Sequence, residues 1–183
     1  INIITKKASK PWTLNLNGRL AKHGEQRYGA TLGLSGKHWS NLLSANYNAT
    51  DNYSVESAAN PVTRVISTIY GDKTINTREQ LTWTPSSALS FTGRAGYFFR
   101  ETTRTIGQPE RYRDFSGGLR MNWTMSAFDQ LRVNYAFDQY DKSNYQTVRR
   151  LDIRSYSNVQ NTVRALYSHE FEGGDVLTVG SDY

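Results

Sequence analysis

Cysteine is absent from the 183 residues, which leaves no disulfide framework and suits a reducing compartment and a bacterial envelope equally. No run of about 18 apolar residues exists either, so a spanning helix is excluded while spanning strands stay open. Despite a formal charge of +6 and a pI near 9.5, lysine and arginine form no run of the nucleic-acid-binding type, and no nucleic-acid partner is expected. A phosphate-cradling glycine motif is also missing: Gly117-Gly118 and Gly173-Gly174 read as strand and turn glycines. The chain opens on Ile1 with neither an initiator Met nor a signal peptide and ends at Asp182-Tyr183 in mid-strand, so it is expected to be an internal piece of a longer protein.

What is present is alternation. A hydrophobic share of 37% and a mean hydropathy of −0.65 resemble a soluble single domain. A barrel strand, however, crosses a bilayer in about 9 to 11 residues of which half face a wet lumen, so averaging hides a lipid surface. Trp12, Leu14, Leu16, Gly18 and Leu20 alternate with Thr13, Asn15, Asn17 and Arg19; Tyr28, Ala30, Leu32 and Leu34 alternate with polar or small residues. The pattern returns at Trp39 to Tyr47, at Ile75 to Trp83, at Leu89 to Phe99 and at Phe115 to Trp123. It is cleanest at Leu131, Val133, Tyr135 and Phe137, and recurs at Val159 to Tyr167 and at Leu177 and Val179. Glu79 breaks it, with a parity that points toward the apolar side. Thr50 to Ser67, with Asn60-Pro61, reads as an exposed loop, as do Gly107-Gln108-Pro109 and Ser143 to Ile153.

The spacing predicts about nine strands joined alternately by short connections, at Ser35 to His38, Pro85 to Ala88, Ser126 to Asp129 and Glu172 to Asp175, and by longer ones. Trp12, Trp39, Trp83 and Trp123 all fall at the short-connection end. Outer-membrane barrels show this asymmetry, with tight periplasmic turns, longer external loops and aromatic girdles, so the four tryptophans are expected at the periplasmic membrane girdle. The expected fold is all-β, an antiparallel up-and-down transmembrane β-barrel, partial, in the bacterial outer membrane with its lipids as partners. Soluble sandwiches use shorter strands, of about 5 to 6 residues. The near-40-residue tryptophan spacing also suits a propeller, but only two long strands fit each period. Nine strands do not close a single-chain barrel, and open edges in lipid leave backbone groups unpaired, so further strands are expected from outside this chain.

Arg19, Arg78, Arg94, Arg120, Arg132 and Arg164 have the parity opposite to the apolar residues and are expected to face the lumen, either as a solvated face or as an anion site. Expected ligand contacts from external loops are Tyr53, Arg104, Arg111, Tyr112, Asn144 and Tyr145, which combine aromatic surface with cationic donors; tyrosines at the external headgroup level read the same way. No catalytic residue is assigned and the chain is read as not an enzyme, because His23, His38 and His169 lie near different connections and join no metal-ligand spacing or Ser/His/Asp set. A barrel phospholipase or protease is the rival, and needs His and carboxylate beside Ser at one strand end. Asn48-Ala49-Thr50 and Asn52-Tyr53-Ser54 match a glycosylation pattern that is irrelevant in a bacterial envelope.

The opening Ile1-Asn2-Ile3-Ile4-Thr5-Lys6-Lys7 resembles the segment that closes the plug and enters the first barrel strand in TonB-dependent outer-membrane receptors; read alone, it is also an apolar edge strand before a lysine pair. The resemblance implies a division into residues 1–10, the end of the plug and its junction, and residues 11–183, the N-terminal part of a barrel of about 22 strands. It also implies a TonB-contacting segment upstream and import of a large scarce nutrient. The wording is closer to the branch that takes up cobalamin, haem and ferric siderophores than to the branch that imports glycans beneath a surface lipoprotein. A smaller outer-membrane barrel, such as an adhesin, porin or barrel enzyme, is the alternative. No cofactor is implied, although some cobalamin receptors hold calcium in early external loops, where this chain has Asp51, Glu56 and Asp72.

Overall fold

The computed structural model describes residues 10–57, 65–105 and 107–183, and every regular element among them is a β-strand. The strands are β1 (Trp12–Leu20), β2 (Gln26–Ser35), β3 (Trp39–Ala49), β4 (Tyr53–Ser57), β5 (Val65–Ile69), β6 (Asp72–Ser86), β7 (Leu89–Thr105), β8 (Gln108–Thr124), β9 (Asp129–Gln146), β10 (Leu151–Glu170) and β11 (Val176–Asp182). Nine of them form one antiparallel up-and-down sheet in the order β1-β2-β3-β6-β7-β8-β9-β10-β11, which does not close. β4 and β5 form a separate hairpin, with Tyr53 opposite Ile69. The plug junction motif Ile1 to Lys7 lies outside the described residues.

The ladder register sorts side chains onto two faces, as period-two alternation requires. On the apolar face Leu14 opposes Leu32 and Leu32 opposes Leu43. Trp39 opposes Trp83, which opposes Phe91; farther along, Trp123 opposes Leu131 and Leu131 opposes Tyr167. Aromatic pairs stack along this surface: Trp83 on Phe91 with centroids 5.6 Å apart, and Tyr97 on Phe115 at 4.7 Å. The polar face carries Asn, Ser, Thr and Arg. Glu79 does stand on the apolar face, where Asn41, opposite Leu81 in the neighbouring row, donates a 2.8 Å hydrogen bond to its carboxylate.

Nothing among the described residues packs against this sheet. Among the described residues Ala49 is the single buried hydrophobic one, whereas Trp12 is 69% exposed, Leu16 72% and Leu119 65%. The ladders, not a core, hold the strands together. An uncovered apolar surface of this extent is costly in water, at roughly 25 cal/mol per Å².

Three expectations about connections are corrected. The segment around Gly107-Gln108-Pro109 is a tight reversal with Gly107 at φ 77°, after which Gln108 and Pro109 already belong to β8. Ser143 to Ile153 is mostly strand, since β9 runs to Gln146 and β10 starts at Leu151. The stretch from Thr50 to Ser67 contains β4 and the start of β5, with Asn60-Pro61 outside the described residues. Connection length therefore does not separate the two ends, because β7 and β8 are joined as closely as β6 and β7. The difference is projection. β7 and β8 each have 17 residues, β9 18 and β10 20, and they run past the apolar zone at the end away from Trp39, Trp83 and Trp123. The ladders continue there through charged pairs and tyrosines, without alternation between an apolar and a polar face.

Candidate functional site on the polar face

The six arginines read as facing away from the apolar side do share the polar face. Arg19 opposes Arg27, and both lie beside Glu25, at 3.5 and 2.8 Å. The other five stand one to a strand on β6 to β10, all exposed. Arg94 donates from Nε to Gln80 Oε1 at 3.1 Å, Arg120 to Asn134 Oδ1 at 2.8 Å and Arg132 to Asn122 Oδ1 at 3.2 Å. Arg164 is bidentate to Asp182, at 2.6 and 3.0 Å. These arginines line a hollow of about 810 Å³ whose floor includes Gly96, Ser116, Gly118 and Ala136. Gly118 is needed at this floor, since a Cβ there would lie 2.8 Å from the Tyr135 carbonyl oxygen.

Toward the projecting ends the same face becomes aromatic. Tyr112, Tyr140 and Tyr156 form a run with centroid spacings of 6.4 and 5.9 Å, and the Lys142 ammonium lies 5.4 Å from the Tyr112 ring. Tyr112 donates to Glu110 at 2.9 Å and Lys142 pairs with Glu110 at 3.2 Å. The Tyr112 hydroxyl and then Lys142 hold the Glu110 carboxyl below its ordinary range. Asn144 opposes Glu110.

The six expected ligand residues are thus divided. Tyr112 and Asn144 share the polar face with the hollow. Arg111 and Tyr145 are on the other face, the guanidinium 3.6 Å from the Tyr145 ring centroid. Tyr53 stacks on His23 at 4.0 Å beside the β4–β5 hairpin. Arg104 is near the end of β7 and adds a favourable charge to Glu110.

Around Arg111 is an ionic belt that sequence reading missed. Arg111 pairs with Glu101 at 2.7 Å and with Asp152 at 3.6 Å, Arg113 pairs with Asp152, and Arg154 pairs with Asp141 at 3.5 Å. Arg111 and Arg113 have the parity of Phe115, so they occupy the apolar face just beyond its apolar part. That parity was available in the sequence. The partners were not, because a register shift between Arg154 and Tyr156 turns Asp152 and Arg154 onto this side.

At the end opposite the projecting strands Trp12, Trp39, Trp83 and Trp123 lie on one face, all exposed. Ser126, Asp129 and His169 meet there, a set the sequence did not reveal across 40 residues. His169 Nδ1 is 2.7 Å from Asp129 Oδ1, which also accepts from the Tyr167 hydroxyl, while Ser126 donates to Oδ2. These bonds, Ser126 first, hold the Asp129 carboxyl well below the usual carboxylate range. A Ser-His-Asp triad places the imidazole between serine and carboxylate. Here the carboxylate is the hub and the serine hydroxyl is spent on it and on the turn amides, so the set closes the β8–β9 turn. His38 Nδ1 lies 3.1 Å from the Thr84 carbonyl oxygen at another tight turn.

Two of the three calcium candidates have other neighbours. Asp72 pairs with Arg100 at 3.1 Å and Asp51 is tucked against Gly24. The Glu56 side chain lies outside the described residues, among which no three His, Cys, Asp or Glu gather as metal ligands. No protein-family model and no curated protein sequence matches the chain.

Proposed function

We propose that this chain is a wall segment of an outer-membrane β-barrel belonging to a TonB-dependent receptor that imports a large scarce nutrient such as cobalamin, haem or a ferric siderophore. The observation that carries the barrel reading is the uncovered apolar face of a single-layer sheet with no core. The apolar face runs eight steps along β8, Trp123 to Phe115, and ten along β7, Leu89 to Phe99. At about 3.4 Å per step and a tilt of about 40° these span roughly 21 to 26 Å, close to the ~25 Å apolar band of such barrels. Tryptophans border the zone at one end and the ionic belt at the other, the order expected from interface to interface.

The receptor part rests on the resemblance of Ile1 to Lys7 and on the polar face, where a cationic hollow and a tyrosine run lie on one wall. In this reading the chain is not an enzyme, and closure, TonB contact and any lipoprotein lid belong to other segments or partners. Quenching of tryptophan fluorescence by brominated lipid in reconstituted vesicles tests the membrane placement. All four tryptophans should be quenched by shallow bromines more than by deep ones. A chain that stays folded and monodisperse without detergent, with unquenched tryptophans, ends the barrel reading. Mass spectrometry of ligand co-purifying with the intact receptor tests the nutrient.

A further inference from the structure

Five of the six polar-face arginines read from the sequence, Arg78, Arg94, Arg120, Arg132 and Arg164, fall on five consecutive strands, and the register makes them a file. Arg94 opposes Gln80 while Arg78 opposes Gly96, so Arg78 and Arg94 are diagonal neighbours. Arg120 opposes Thr92, one row from Arg94. Arg132 opposes Asn122, one row from Arg120. Arg164 opposes Asn134, one row from Arg132. Diagonal neighbours on one sheet face are about 7 to 8 Å apart, so five like charges follow one another across the wall of the hollow.

Their partners make the file unusual. Arg94, Arg120 and Arg132 are each oriented through Nε by a neutral amide, which fixes the side chain without neutralising it. Among the described residues Arg78 forms no ion pair, and only Arg164 has a carboxylate, Asp182. Glu79, adjacent in sequence, faces the other side. Asp138, the polar-face carboxylate next above Ala136, stands in the row of Arg78 but three strands away. The small floor residues keep the hollow open, and its volume of about 810 Å³ falls within the usual range for a small-ligand site.

We infer that this file binds a small ligand carrying two or more anionic groups, carboxylate or phosphate, which bridge successive guanidiniums. The inference goes beyond the receptor reading and does not require it: lipid quenching can fail while anion binding holds, and the reverse.

Calorimetric titration of the intact protein that carries this wall, folded in detergent micelles, tests it with citrate and pyrophosphate as probes and glucose as the neutral control. Binding of citrate identifies carboxylate as a source, and binding of pyrophosphate identifies phosphate. Either should bind, more weakly as salt rises, and glucose should not. Arg94→Gln and Arg120→Gln should each weaken binding about tenfold, as expected for loss of one charged hydrogen-bonding group. Arg149→Gln, the same charge change in the β9–β10 connection, should leave it unchanged. If the glutamine variants do not fold, Arg94→Lys and Arg120→Lys retain charge but lose the planar fork and should bind several-fold more weakly. Absence of binding to the folded chain, an equal loss in Arg149→Gln, or full affinity in the Arg94 and Arg120 variants overturns the inference.

Discussion

Gly71 shows how little room single residues have where the polar ends join the sheet. A Cβ at this position would fall on the Thr50 carbonyl oxygen, and the residue is buried, its amide donating to Asn52 Oδ1 at 2.6 Å and its carbonyl accepting from Thr102 at 3.2 Å. Gly71→Ala should therefore destabilise the fold by about 2 kcal/mol, through backbone displacement at a hydrogen-bonded junction; urea titration measures it. Glu110 makes a different residue-scale prediction. Its folded pKa is depressed, so its contribution is present above the unfolded value of about 4.3 and is lost as pH falls through the lower folded value. Amide protection at the β8–β9 ends, with exchange rates divided by the intrinsic rate at each pH, should fall below about pH 4 in the native chain and stay flat in Glu110→Gln. Identical profiles would remove the Glu110 to Lys142 pair from the account. Neither site was legible beforehand: Gly71 needs the Thr50 backbone, and Glu110 needs a lysine 32 residues away.

At the scale of the strand, legibility followed solvent contrast. β9 was readable because Leu131, Val133, Tyr135 and Phe137 alternate with Arg132, Asn134 and Asp138, and the structure puts each set on one face. The ends of β8, β9 and β10 read as loops because charged residues fill one face and tyrosines enter the otherwise polar one, so no apolar-polar alternation remains even though the ladder continues. β4 and β5 were missed for a related reason, being five residues each and without alternation of their own. The arginine positions were legible from parity; their amide partners depended on register. If the apolar face meets hydrocarbon, Leu119→Arg should cost about 2 to 4 kcal/mol of folding free energy in bilayers, as for lipid-facing cations near the midplane. Asn134→Ala on the polar face should cost under about 1 kcal/mol. Titration of folded fraction by heat-modifiable gel migration compares the two. Equal effects would place both faces in the same medium.

For the whole molecule, direction constrains closure. β1 and β11 are the two edges of a nine-stranded antiparallel sheet, so they run the same way and cannot pair antiparallel with each other. Antiparallel closure then requires an odd number of strands between them, which makes the total even, as in single-chain bacterial barrels. If the sheet belongs to the proposed larger barrel, cysteines placed at Asn15 and Thr31 of the intact protein, which face each other across β1 and β2, should cross-link. Cysteines at Asn15 and Thr178 should not. A cross-link of the second pair would mean that the nine strands close by themselves on a parallel seam.

The charged girdle of Arg111, Arg113, Asp152 and their neighbours has a mechanical consequence. If the sheet spans a bilayer as proposed, sinking it inward by two residues would drag guanidiniums and carboxylates into oil, and lifting it as far would pull the indoles off their interface and lay bare the greasy rows above. In the proposed barrel the two borders would therefore act as a draught mark, fixing how deep the sheet floats and so the height at which the cationic hollow and the tyrosines beyond it are presented.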